Sequence, residues 1–268
     1  TRPDIISNIH RQYLEAGADI IETCTFNSQA ISQTEYQTTD FVCRINLEAA
    51  RLARQEADRM TALTPDKPRF VAGSVGPTAK MTSMSPDVEN PALRAVDYDT
   101  LCKAYVEQME ALMEGGVDAL LIETIFDTLN AKAALCAARE VFQTLGRRVP
   151  VMLSVTVADA GGRLLSGQTL EAFLTSVAHE EIFSVGLNCS FGAEQMLPFL
   201  KRLSEIAPFY ISVYPNAGLP DAMGKYDETP EKMSAHVTPF VNGCLVNIIG
   251  GCCGTTPEHI RALAEVAS

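Results

Sequence analysis

The residues best placed to do chemistry in this sequence are two adjacent cysteines framed by glycines, Gly250-Gly251-Cys252-Cys253-Gly254, at the end of the apolar run Leu245-Val246-Asn247-Ile248-Ile249. The run reads as a buried strand, and Thr255-Thr256-Pro257-Glu258 reads as the opening of a helix. Neighbouring side chains on a regular strand point to opposite faces, so both thiols reach one ion only if the backbone bends sharply. Gly250, Gly251 and Gly254 permit that bend. A zinc ion needs at least three protein ligands, and a third thiol, Cys189, stands at the end of another apolar run that begins at Ile182. Three cysteines with one open position describe a catalytic zinc, since structural sites are usually closed by four protein ligands. The competing assignment, small buried hydrophobes or a disulfide, suits a Cys-Cys pair alone better than it suits the pair with its glycine frame and a third strand-end thiol.

These thiols are far apart in sequence, and the elements around them must bring them together. Hydrophobic periodicity predicts strands over 19–26, 69–75, 117–124, 150–157, 182–189, 209–214 and 245–249. It predicts helices over 3–16, 39–60, 98–114, 127–145, 169–180, 192–206, 230–242 and 257–267. Ala16-Gly17-Ala18-Asp19 with Glu22-Thr23 is echoed by Gly115-Gly116-Val117-Asp118 with Glu123-Thr124, as expected if one helix-strand unit recurs. Seven strands each followed by a helix, after one unpaired helix, point to a (β/α)8 TIM barrel lacking its first strand in this chain; a doubly wound open sheet is the rival. With no linker or composition break, residues 1–268 read as one domain. In a barrel all strand C-termini share one rim, which is how Cys189 and Cys252 can meet.

Composition bounds the function classes. The chain has 268 residues, 47% apolar and 20% charged, with 33 acidic against 21 basic side chains and a net charge of −12. That balance argues against nucleic acid or an anionic membrane surface as partner. No apolar run approaches a membrane span, and Thr1-Arg2-Pro3-Asp4 has no secretory pattern. Eight cysteines are too sparse for a disulfide scaffold, and Cys43, Cys102 and Cys136 fall in apolar helical patterns, which suits packing thiols in a reducing cytoplasm. Cys244 precedes its strand and is expected to be structural. Cys24, another strand-end thiol, is expected to pack and not to compete for the metal. His10, His179, His236 and His259 fall in helical segments without metal-ligand spacing. Gly73-Ser74-Val75-Gly76-Pro77-Thr78 lacks the Gly-Lys-Ser/Thr ending of a phosphate loop.

Gly-Leu-Asn-Cys at 186–189, Tyr-Pro-Asn-Ala-Gly-Leu-Pro at 214–220 and Gly-Gly-Cys-Cys-Gly at 250–254 resemble the homocysteine S-methyltransferase family. Within it, Glu123-Thr124-Ile125-Phe126-Asp127-Thr128, Leu165-Ser166-Gly167-Gln168-Thr169 and Tyr226-Asp227-Glu228-Thr229-Pro230 look like the homocysteine-binding domain of cobalamin-dependent methionine synthases. The resemblance covers essentially the whole chain. It implies a barrel in which Cys189, Cys252 and Cys253 hold Zn2+, with homocysteine sulfur in the fourth position. It also implies that Asn216 is the matching position for a side-chain oxygen that fills that place when substrate is absent. The family's first strand with its Asp-Gly-Gly/Ala-Met-Gly-Thr motif is not found here, and Cys24 stands where relatives usually have Asn.

The expected chemistry is attack of a homocysteine thiolate on an electrophilic methyl group, giving methionine. Metal coordination deprotonates a bound thiol, and the thiolate is the nucleophile. Glu123, at a strand end, is expected to accept from the substrate ammonium, and backbone amides near Gly76 or in the missing first loop to hold its carboxylate. Glu22 is expected to be a buried acid paired within the barrel, and Asp127 and Thr128 to cap a helix. The resemblance implies methylcobalamin as donor, carried on another module, with cobalamin-binding and methyltetrahydrofolate-binding modules as partners. The alternatives are a stand-alone enzyme using betaine or S-methylmethionine, and a module that binds zinc and homocysteine without turnover. A further option is a barrel that uses its last glycines for phosphate.

Overall fold

The computed structural model, which describes residues 2–268, pairs seven strands in parallel and in chain order. They are β1 (Ile20–Glu22), β2 (Phe70–Val75), β3 (Ala119–Ile125), β4 (Val151–Val155), β5 (Ser184–Gly192), β6 (Tyr210–Asn216) and β7 (Ile248–Ile249). A doubly wound sheet reverses its strand order at a switch point, and this sheet does not. The helices are α1 (Pro3–Glu15), α2 (Ala30–Gln33), α3 (Val42–Leu63), α4 (Tyr98–Glu114), α5 (Thr128–Leu145), α6 (Leu170–Val177), α7 (Ala193–Ile206), α8 (Pro230–Asn242) and α9 (Pro257–Ala267). The helical layer closes on itself: the Tyr13 hydroxyl of α1 donates to the Thr255 carbonyl just before α9, at 3.0 Å. Gly17, past the end of α1, lies so near α9 that a methyl there would come within 3.1 Å of Ala264 Cβ. Sequential parallel order inside a closed helical layer makes the sheet a curled barrel of the (β/α)8 kind, one strand short between β7 and β1.

The pleat sorts side chains into two apolar layers. Val71, Leu120, Leu153, Val185 and Val213 face outward and are buried among the helices. Ala72, Leu121, Met152 and Tyr214 face inward and fill the lumen, flanked by Ile20, Ala119 and Ile248. Two residues further along each inward row the character changes: Glu22, Ser74, Glu123, Ser154 and Asn188 form a polar layer toward the strand C-termini. The lumen is thus apolar at its base and polar beneath the rim.

Gly17 and Gly116 explain the echoed unit. Each follows a helix, α1 or α4, and turns the chain into a strand with φ of +115° and +93°, where a β-carbon is strained. Asp127 and Thr229 accept from helix N–H groups at the starts of α5 and α8, as capping residues do.

Several boundaries differ from expectation. β1 stops at Glu22 because the chain turns there, with Thr25 N–H donating to the Thr23 carbonyl at 2.9 Å. β7 is two half-buried residues and not a long buried strand, because it pairs only with β6. β5 runs on to Gly192 through a register break between Asn188 and Gly192. The polar stretch after β1 contains α2, capped by the Gln29 side chain accepting from Ser32 N–H. Helix α6 ends before His179. Cys102 is buried as a packing thiol and Cys136 is half-buried, but Cys43 lies on the open side of α3 and is exposed.

Leu121→Ala removes the largest aliphatic side chain of the lumen layer between Ala72, Met152 and Tyr214, and the expected loss of stability is about 2–5 kcal/mol. Urea unfolding reads this as a lower midpoint at unchanged slope. A loss below about 1 kcal/mol would show that the lumen is not packed there.

Candidate metal centre

At the rim the structure brings Cys189, Cys252 and Cys253 together, with all three sulfurs within 4.8 Å of one another. Cys189 Sγ and Cys252 Sγ each lie 3.9 Å from Cys253 Sγ. Tetrahedral zinc with sulfur at about 2.3 Å needs sulfurs about 3.8 Å apart, so the two edges that meet at Cys253 fit that ion. Cys189 and Cys252 are half-buried, and Cys253 is open to solvent.

Backbone pairing sets this geometry. Beyond β7 the chain stays docked on β6: Gly250 N–H donates to the Val213 carbonyl at 3.0 Å, and Cys252 N–H to the Pro215 carbonyl at 2.8 Å. Ala217 N–H returns a bond to the Cys253 carbonyl at 2.9 Å. The chain then turns, with Thr255 N–H and Oγ1 both donating to the Cys252 carbonyl. Of the three framing glycines only Gly254, at φ +80°, needs conformational freedom. Gly250 and Gly251 are there for space, since a β-carbon would come within 2.7 Å of the Tyr214 ring or 2.4 Å of Thr255. On the other side, Cys189 and Ser190 both take left-handed backbone, φ +62° and +61°, which turns the Cys189 thiol toward its partners.

The electrostatics are those of a shared charge. The Cys189 thiol is lowered to about 5, chiefly by a hydrogen bond from Cys252, with help from Ser190 N–H, Cys253 and Asn216 against the opposing effect of burial. Cys252 is pushed up, first because its proton serves Cys189 and then by burial. Cys253 is pushed up by burial and by the Cys189 charge. One thiolate held by two thiols is the resulting state near neutral pH.

Glu123 is 7% exposed and accepts a short hydrogen bond from Ser74 Oγ. Burial raises its carboxyl to about 7; the Ser74 bond opposes this and the nearby Cys189 charge adds to it. Glu22 faces the same lumen from the edge strand β1, where burial and then the neighbouring Glu123 charge raise its carboxyl; the neighbour is a like charge, so the acid is not paired as expected. Asn216 is 2% exposed, and its Oδ1 accepts from Cys253 N–H at 3.1 Å, bracing the cysteine loop. Gly76 cannot offer its own amide to a substrate carboxylate: that N–H donates to the Phe26 carbonyl at 2.9 Å, and Phe26 covers the Cα. Cys24 lies past the end of β1, exposed and outside the sulfur cluster. His259 stands at the rim end of α9, but its Nδ1 accepts from Thr256 N–H and its Nε2 donates to the Glu228 carbonyl at 2.8 Å, leaving no free nitrogen.

Two groups beside the sulfurs were visible only as motif letters. Tyr226 packs its Cβ over Gly254, and burial and then the neighbouring Cys253 push its phenol above the ordinary value. Asn188, which precedes Cys189 in sequence, places its amide 3.8 Å from Cys252 Sγ.

Fold and site together define an α/β-barrel protein with a trithiol of metal-binding geometry at its C-terminal rim. The chain belongs to the homocysteine S-methyltransferase family, whose profile matches residues 1–267, and homocysteine is the substrate of that family. Among solved structures, the metallated form of the homocysteine methyltransferase MmuM from Escherichia coli superposes with a TM-score of 0.79 at 23% identity, covering 98% of this chain and 84% of that one. Its apo form gives 0.73 at 22% identity, over 98% and 86%. A B12-independent methionine synthase from Shewanella sp. W3-18-1, in complex with selenomethionine, gives 0.58 at 13% identity, over 99% and 86%. At these identities the likeness is one of fold.

A cation that takes all three sulfurs must displace the two protons that the cluster retains near pH 7. Calorimetric zinc titration of the metal-free protein at that pH, repeated in buffers of different ionisation enthalpy, should give about two protons released per ion. A release of none or of three would contradict the shared-charge state.

Proposed function

We propose that Cys189, Cys252 and Cys253 hold zinc and that the centre presents homocysteine for methylation to methionine. The observation that carries this reading is the sulfur spacing, which matches the edge of a zinc tetrahedron. Bound there, zinc would keep the homocysteine thiol deprotonated at neutral pH, as a thiolate able to attack a methyl group. The chain's own residues do the rest. The backbone bonds to β6 and the Asn216 brace hold the cysteine loop in place. Glu123, in the polar layer beneath the sulfurs, accepts from the substrate ammonium, and the Ser74 hydroxyl fixes its orientation.

The donor in this proposal is methylcobalamin on another module, with a methyltetrahydrofolate-binding module to recharge it. The motifs at 123–128, 165–169 and 226–230 support that choice, as does the openness of Cys253 to a donor arriving from above the rim. Metal-edge X-ray absorption tests the centre: three sulfur neighbours should become four when homocysteine is added, and Cys252→Ala should lose the metal. Unchanged zinc stoichiometry in that variant would remove the reading. Methionine formation from free methylcobalamin, set against betaine and S-methylmethionine, then identifies the donor; zinc and homocysteine binding without turnover would mark a binding module.

Glu123 carries its own pH dependence. With its carboxyl raised to about 7, the ionised form that attracts an ammonium is lost as pH falls through that value. KM for homocysteine should therefore rise below pH 7 in the native protein, and be higher but flat over the same range in Glu123→Gln. Parallel pH profiles for the two would exclude Glu123 as the ammonium partner.

A further inference from the structure

Asn188 occupies the point where the polar lumen layer meets the sulfur cluster, and its side chain is fully used. It is 1% exposed. Its Oδ1 accepts from Thr124 N–H at 3.1 Å and from Ser154 Oγ at 2.7 Å. Its Nδ2 donates to Thr124 Oγ1 at 2.9 Å and points at Cys252 Sγ, 3.8 Å away. A backbone N–H can only donate, so the bond from Thr124 fixes which end of the carboxamide is oxygen. The amide N–H must then face sulfur. One side chain thereby ties β3, β4 and β5 to the loop after β7. The two segments it joins are strained: Thr124 has φ +56°, and Cys189, the next residue after Asn188, has φ +62°.

We infer that Asn188 is a positioning residue for the proposed centre, donating an N–H···S hydrogen bond that holds the Cys252 thiolate in place and withdraws electron density from it. The inference rests on the metal reading above and goes beyond it, since it gives the three sulfurs different electronic character. An amide proton stabilises a thiolate at one ligand only, so Cys252 becomes the weaker donor to the metal. Groups that orient metal ligands in this way typically contribute 10- to 100-fold in metal affinity.

Asn188→Asp removes the donor to sulfur while keeping the acceptor side of the network. The carboxylate is isosteric, keeps the acceptor that Thr124 N–H and Ser154 Oγ require, and can accept from Thr124 Oγ1, whose hydroxyl rotates. Both N–H donors are lost; Thr124 Oγ1 can restore its bond by donating, whereas the Cys252 sulfur faces a negative charge where its donor stood. In cobalt(II)-substituted protein the thiolate-to-metal charge-transfer band should move to lower energy in Asn188→Asp, and the zinc dissociation constant should rise about 10- to 100-fold. A purely structural loss would lower affinity or unfolding midpoint without moving the band. The native protein supplies a check that needs no variant: after cadmium-113 substitution, the Asn188 side-chain amide proton should show scalar coupling to the metal through sulfur. Cobalt uptake with an unmoved band, or an amide without coupling, overturns the inference. Failure of the unsubstituted protein to take up cobalt at all overturns the metal reading beneath it, and the two failures are told apart by the native spectrum alone.

Discussion

The site depends on one constraint: the chain beyond β7 does not leave the sheet when the regular strand ends. Its hydrogen bonds to Val213, Pro215 and Ala217 carry Gly250 to Cys253 along the end of β6, and only on that track do two consecutive cysteines meet a third from β5. Each bond contributes about 1 kcal/mol net, modest singly. Together they hold backbone amides that would otherwise lie unpaired beside the lumen, where the cost of leaving them unsatisfied is larger.

The strain of the arrangement is concentrated on the opposite side. Thr124, Cys189 and Ser190 sit in left-handed backbone without being glycine, at a cost on the order of 1 kcal/mol or more apiece. Asn188 offsets part of this by bonding both the backbone and the hydroxyl of Thr124. The gain is direction: β5 passes its register break with the Cys189 thiol turned across the rim.

Layering of the lumen links the fold to the chemistry. The apolar base formed by Ala72, Leu121, Met152 and Tyr214 excludes water from below, which is why Glu123, just above it, is a raised carboxyl. A buried carboxylate near the Cys189 thiolate is unfavourable unless something positive arrives. The proposed substrate brings an ammonium group to that place.

Much of this was legible in the sequence. Period and punctuation located all seven strands and eight of the helices, because buried parallel strands and amphipathic helices leave strong patterns. The glycine frame and the strand-end position of Cys189 marked the three sulfurs. What the pattern missed were matters of edge and of pairing. β1 is shorter than its run because the chain turns after Glu22, and β7 because it has one neighbour. The Gly76 amide was already engaged with Phe26, a partner 50 residues distant. Asn188 read as a letter between two apolar residues and a cysteine, since nothing local shows that its amide meets a sulfur 64 positions away. Residue types and their spacing determined that thiols would end on one rim, because the alternation of strand and helix admits few topologies. Distance, orientation and charge sharing among those thiols were decided only by tertiary structure, because hydrogen bonds between distant strands leave no period in the chain.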